Sequence, residues 1–219
     1  MSNTEHIVIV SGSVRSGTSL MMQLLEAGGI PLYYDNTKPP DENNPYGYFE
    51  KTGMFSYAGL GGAESSFLSF CRNKGVKILP PSILPDVIRD TKGTLVKIIF
   101  MLRNENEVAN SYITMLENLN RLDSSFNFRG LTREESIEKF KEARRENIQR
   151  ALDFFDTEEN TADVLMVNHN DLVFANTTQT LAEISQFIRA DLPQYEMNPQ
   201  TMEGIVDISL YRQRQSQQP

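Results

Sequence analysis

The sequence predicts an α/β fold: one domain built on a central, mainly parallel β-sheet flanked by helices. Three observations carry this. The run "HIVIVS" at residues 6–11 has the apolar character of a strand buried on both faces. Glycines follow it, and then "TSLMMQLLEA" at residues 18–27 shows helical periodicity and is closed by Gly28–Gly29. A second apolar strand, "LVKIIFML" at residues 95–102, is again followed by an amphipathic segment, the alternation that builds a parallel sheet.

The remaining elements follow in order. Residues 31–53 form a Pro/Asn/Asp-rich stretch, long for a structureless connection and therefore a candidate functional loop. Residues 64–73 read as helical, and "VKIL" at 76–79 as a short strand before the proline-rich turn "PPSILP". A helix over 105–119 places Val108, Ala109, Tyr112, Ile113, Leu116 and Leu119 at helical spacing. Residues 120–131 read as an exposed loop, and 133–155 as a long helix with Ile137, Phe140, Ile148, Ala151, Leu152 and Phe155 on one stripe. "DVLMVN" at 163–168 gives a further strand, 178–188 a further helix, and 213–219 a frayed Gln-rich tail. No repeat or second domain is visible, so residues 1–219 are expected to form one domain.

Composition narrows the partners. The net charge of −8 argues against a duplex nucleic-acid surface, which calls for a basic patch. It leaves room for an anionic small ligand, because a few arginines set a pocket's local field. No apolar run approaches the ~20 residues of a membrane span, and "IVIV" is too short for a signal peptide. The single cysteine, Cys71, has no internal disulfide partner, which fits a reducing, cytoplasmic setting. Oligomeric state is not legible.

The segment "GSVRSGTS" carries the chemistry. Gly12 and Gly17 have the spacing of a phosphate-binding loop, with Thr18–Ser19 where an NTPase loop has Lys-Ser/Thr. Such a loop turns backbone N–H groups and a helix N-terminus toward an anion. The plainer reading is a glycine turn with Thr18 or Ser16 as the helix N-cap. The NTPase lysine is absent, and the nearest cation is Arg15, able to fork two oxygens of a phosphate or sulfate. Nor does an aspartate follow the later strands, which end in Arg103-Asn104 and Asn168-His169, so no metal is expected.

"VRSGTS" resembles the PRSGTS loop of the sulfotransferases that use 3′-phosphoadenosine 5′-phosphosulfate (PAPS), with Val14 in place of the proline. The resemblance implies a P-loop-like sulfotransferase fold in which Arg15, Ser16, Gly17, Thr18 and Ser19 cradle the 5′-phosphosulfate. The family's 3′-phosphate site, an arginine at a strand end and a serine eight residues on, is matched by Arg103 and Ser111. "NPYGYFE" is similar to an NPxGYFE segment of bacterial members. "DVLMVNHNDLVFANTTQTLAEISQFI" looks like the late strand–YEDL–helix block, with His169-Asn170 for the Tyr-Glu pair, and "VDISLYRQR" resembles a VDPSLYRxR ending. By this resemblance His169 would touch the adenine and Arg212 and Arg214 would close over the 3′-phosphate. A polar strand end and a solvated basic tail are the plainer alternatives.

Sulfuryl transfer needs positioning and charge stabilisation more than covalent assistance. Arg15 would stabilise charge on the leaving bridging oxygen, and Lys77, in a segment similar to the family's "KTHLP" strand, would hold a sulfuryl oxygen. Otherwise Lys77 would snorkel to solvent. The histidine of that segment is replaced by Leu79, so the base is sought among carboxylates. Asp35 and Glu50 follow apolar stretches and stand equal, whereas Asp41-Glu42 reads as solvated loop.

The expected activity is metal-independent transfer of a sulfuryl group from PAPS to a hydroxyl or amine. The acceptor is a small-molecule or lipid-like alcohol, bound by loops 31–53 and 120–131. Tyr33, Tyr34, Tyr46, Tyr48, Phe126 and Phe128 would lend an aromatic wall. A nucleotide kinase or NTPase on the same scaffold, and a bisphosphate-binding protein without catalysis, are the alternatives.

Overall fold

The computed structural model describes residues 5–35, 37–51, 70–91, 93–122 and 127–210. Four strands form an all-parallel sheet: β1 (His6–Gly12), β2 (Lys74–Lys77), β3 (Leu95–Leu102) and β4 (Asp163–Asn168), in the order β2-β1-β3-β4. β1 and β3 run in register from His6↔Leu95 to Gly12↔Met101. Between them α1 (Thr18–Ala27), α2 (Leu84–Asp90), α3 (Glu105–Asn118), α4 (Arg133–Phe155), α5 (Thr177–Arg189) and α6 (Pro199–Glu203) supply the flanking layers.

The pleat of the central strands divides the core into two faces. Val8, Val10, Ile99 and Met101 pack with Met21, Leu24 and Leu25 of α1 and Leu181, Ile184 and Ile188 of α5. Ile7, Ile9, Ile98 and Phe100 pack on the other face with Val87 and Ile88 of α2 and Ile148, Ala151 and Phe154 of α4. Strands buried on both faces explain why β1 and β3 read as largely apolar runs, although β3 also buries Lys97, which pairs with Asp163 at 3.1 Å. α4 starts with a capping box, Thr132 and Glu135 each bonding the other's backbone N–H. α1 ends where Gly29, at φ 92°, turns the chain back and Ile30 N–H closes on the Leu25 carbonyl at 3.0 Å.

The bounds of β2 differ from expectation. β2 lies at Lys74–Lys77 rather than 76–79. Its start is masked in the sequence by Lys74 and Gly75, yet Gly75 pairs on both sides: Val8 is its partner on β1, and Pro31 and Tyr33 bond its backbone on the outer edge. Its end is set by Pro80, which has no N–H to extend the ladder. The expected helix at 64–73 falls largely outside the described residues; Phe70 and Cys71 are helical. Among the described residues no helix is long and apolar enough to cross a membrane.

In an open α/β sheet the ligand crevice lies at the carboxyl ends of the strands, where the strand order reverses. In the order β2-β1-β3-β4 that point is between β1 and β3. Gly12 closes one strand there and Arg103 follows the other.

Candidate functional site

The loop after β1 is wound tightly around its own hydroxyls. Ser16 donates both N–H and Oγ to the Ser13 carbonyl, at 3.2 and 2.7 Å. Ser16 is fully buried and, unlike Gly17, Thr18 and Ser19, does not line the cavity below, so its role is to pin the loop. Arg15 stands at φ 65° and Gly17 at φ 96°. Gly17, not Ser16 or Thr18, is the N-cap of α1, and it brings no side chain to the helix end. Among the described residues no side chain caps the first-turn N–H groups of α1. Two glycines are required for shape. A Cβ on Gly12 would lie 2.5 Å from the Met101 carbonyl oxygen, and one on Gly17 would lie 2.3 Å from His169 Cδ2.

This loop forms one wall of a cavity of about 770 Å³, within the usual range for small-molecule sites. Arg15, Gly17, Thr18, Ser19, Lys77, Arg103, Ser111 and His169 line it together, drawn from the ends of all four strands and from α3. The residues assigned to two separate phosphate sites are linked directly. Arg15 Nε donates to Ser111 Oγ at 3.0 Å, and Arg103 Nη1 donates to the Arg15 carbonyl at 2.9 Å. Arg103 Nε is paired with Glu107 at 3.1 Å, with both side chains largely buried. The N-terminus of α3 is not open: Asn104 Oδ1 accepts from the N–H groups of Asn106 and Glu107. What that helix offers is Ser111, two turns further in.

Lys77 does not snorkel. It is 3% exposed, and its ammonium donates to Ser19 Oγ at 2.9 Å and to the Tyr48 carbonyl. Burial pushes its pKa down to about 8, against the opposing pull of Glu50 and with the repulsion of Lys38 and Arg15 added. Glu50 Oε1 is 3.9 Å from Lys77, and its other oxygen meets Lys38. The two candidate carboxylates are thus separated. Glu50 lines the cavity beside Lys77, whereas Asp35, which does not line it, holds Lys51 Nζ at 2.9 Å and the Thr37 hydroxyl at 2.5 Å.

His169 follows β4 and is buried against the loop at Gly17. Burial, with the Arg103 charge nearby, pushes its pKa down to about 3, so the imidazole is neutral at ordinary pH. Tyr48 donates to both Asp41 oxygens at 2.9 Å, and burial followed by that bond raises its phenol to about 12.

The segment from Thr37 to Glu50 crosses the cavity, as expected of a functional loop. It also meets the anion-binding groups: Arg15 Nη2 donates to the Asn43 carbonyl at 3.2 Å, and Asn44 Nδ2 donates to Ser19 Oγ at 3.0 Å. The aromatic wall is smaller than expected. Tyr46 and Tyr48 line the cavity, but Tyr33 stacks on Phe70, Tyr34 packs on Phe49, and Phe128 is core beside Tyr112. The α3 side adds Met115 and Leu116, with Tyr112 beside them and Leu119 just past the helix end, a mostly aliphatic surface. Of the 120–131 loop, Arg121 reaches the cavity; Phe126, Arg212, Arg214 and the 213–219 tail lie outside the described residues.

Compared with models of known protein families and with curated proteins, the chain matches none.

One contributor escaped the sequence reading. Arg144 of α4 donates Nε to Ser13 Oγ at 3.0 Å and Nη2 to the Arg103 carbonyl at 3.1 Å. A signal existed: Arg144 is four residues from both Phe140 and Ile148, on the stripe the helix turns inward. An arginine on a buried stripe needs a partner inside.

Proposed function

We propose that this protein is a sulfotransferase that takes a sulfuryl group from PAPS and passes it, without a metal ion, to a hydroxyl or amine acceptor. The observation that carries this reading is the Arg15–Ser111 hydrogen bond at 3.0 Å, which joins the loop after β1 to the helix after β3 on one cavity wall. Two sets of anion-binding groups on one wall suit a ligand with two separated anionic ends, as a 3′-phosphorylated nucleotide has.

The residues fit such a donor. The uncapped N-terminus of α1, Arg15, Ser19 and Lys77 would hold the phosphosulfate end. Arg103 and Ser111 would hold the 3′-phosphate. His169, neutral and set against Gly17, offers a flat uncharged surface suited to an adenine edge. Bound there, PAPS supplies an activated sulfuryl group on a bisphosphate leaving group.

The chain's own residues supply charge and proton handling. Arg15 and Lys77 keep positive charge where negative charge grows on oxygen, inside a cavity where it is weakly screened. Glu50 accepts the acceptor's proton on Oε1, the oxygen facing Lys77, while Lys38 holds the other oxygen. Leu20, Leu79 and the Met115–Leu119 face bound the acceptor's side with aliphatic surface, matching an alcohol with an apolar body.

The test is transfer of labelled sulfate from PAPS to a panel of phenols, aliphatic alcohols and amines, in the presence of EDTA. A labelled ester or sulfamate, lost in Glu50→Gln, is the expected result. Transfer of phosphate from ATP that requires magnesium, with none from PAPS, would return the loop to nucleotide kinases.

A further inference from the structure

β1 and β3 stop pairing at Gly12↔Met101, and the residues that bind anions come immediately after. Beyond that point the ladder no longer fixes the spacing between the loop of Arg15 and the strand end at Arg103. Besides the Arg15–Ser111 bond, which ties the loop to α3, two contacts among the described residues reach across to the strand end at Arg103. One is Arg103 Nη1 to the Arg15 carbonyl, which is made by a cavity-lining guanidinium and is subject to change when that guanidinium takes a phosphate.

The other bridge is Arg144. It reaches in from α4, is half-buried, and does not line the cavity. Its hydrogen-bond partners, Ser13 Oγ at 3.0 Å and the Arg103 carbonyl at 3.1 Å, lie one on each side of the gap. Both are uncharged oxygens, and the Glu105 carboxylate that also acts on this guanidinium is bonded to Arg145 instead. The adjacent Arg145 is different: it is exposed and paired with Glu105. A planar guanidinium donating through Nε and Nη2 to two fixed acceptors is a rigid spacer in a way that an ammonium on a flexible stem is not.

We infer that Arg144 is a positioning residue, bridging Ser13 and the Arg103 backbone so that the two anion sites stand at the spacing of one bisphosphorylated nucleotide. The inference rests on the two-ended ligand proposed above. Its consequence is thermodynamic: two phosphates on one nucleoside bind as a chelate, tighter than either alone, only while the spacing between their sites is held.

The experiment is calorimetric titration of the full chain with adenosine 3′,5′-bisphosphate, with AMP, and with adenosine 3′-monophosphate. Wild type is compared with Arg144→Gln, Arg144→Lys, Ser13→Ala and the control Arg145→Gln. Arg144→Gln and Arg144→Lys are expected to lose about tenfold or more in bisphosphate affinity while either monophosphate changes less than about threefold. Ser13→Ala removes one of the two bridging bonds without touching α4 and should show the same pattern, more weakly; Arg145→Gln should match wild type. Equal losses on all three ligands, or an unchanged bisphosphate affinity, would overturn the positioning role. Should Arg144→Gln fail to fold, Ser13→Ala and Arg144→Lys decide the matter by the same pattern. If the wild type binds the bisphosphate no more tightly than the monophosphates, the two-site reading itself fails and the inference falls with it.

Discussion

Gly17 and His169 stand so close that a single methyl group does not fit between them: a Cβ on Gly17 would sit 2.3 Å from His169 Cδ2. The contact joins the loop after β1 to the end of β4, across the strand that separates them. It also explains the glycine twice, since Gly17 at φ 96° occupies backbone space that other residues enter with strain. Gly17→Ala is expected to lower the melting temperature by roughly 4–10 °C, from a strain of about 1–3 kcal/mol. Adding His169→Ala should recover part of that loss, because it removes the clash and leaves only the backbone strain. Thermal melts of the two single variants and the double variant check this; strictly additive losses would mean that the two residues do not meet.

Acidification should weaken the fold through His169. Its pKa is about 3 in the folded chain against an ordinary 6.5. Between those values the unfolded chain binds the extra proton, so stability rises with pH across that window and is lost as pH falls through it. At its steepest the dependence on this one group is about 1.4 kcal/mol per pH unit. Urea titrations between pH 4 and 7 should therefore show a flatter profile in His169→Gln than in the wild type.

Lys77 makes the opposite demand on ligand binding. With its pKa lowered to about 8 by burial, the amine is charged at neutral pH and loses its proton as pH rises through 8. Anion affinity that depends on Lys77 should fall over that range, and Lys77→Met should bind more weakly at pH 7 with little further loss by pH 9. For stability the sign is again positive with pH, but in a higher window. From about 8 to the ordinary 10.5 the unfolded amine is charged and the buried one is neutral, so the penalty of burying it fades.

The two carboxylates left equal by the sequence should separate in function. Glu50→Gln is expected to reduce turnover by roughly 10²-fold or more, the usual worth of a general base, while bisphosphate affinity changes little. Asp35→Asn loses the Lys51 and Thr37 contacts of a side chain that does not itself line the cavity, and should keep most of the activity. Steady-state kinetics of the two variants decide between them; the reverse order would move the base to Asp35.

The fold was legible where the pattern was strong. β3 at Leu95–Leu102, β4 at Asp163–Asn168 and α4 at Arg133–Phe155 have the bounds that periodicity suggests. β2 was displaced because Lys74 and Gly75 hide a strand whose stability comes from pairing on both edges, a tertiary fact. In the site, glycine spacing pointed to the loop, but not that Ser16 would be spent on the Ser13 carbonyl. Nothing local distinguishes Asp35 from Glu50; the separation arises from their partners, Lys51 for Asp35 and the buried Lys77 for Glu50. Arg144 was readable in principle as a charge on an inward stripe. What it bridges was not, since Ser13 and Arg103 are remote in sequence from it and from each other.

The most direct measurement is calorimetric titration with adenosine 3′,5′-bisphosphate, with and without EDTA, against ADP and ATP with magnesium. Tight binding of the bisphosphate that is indifferent to EDTA and lost in Arg103→Ala is the predicted result. Preference for ATP with magnesium, and bisphosphate binding no tighter than that of ADP, would contradict it.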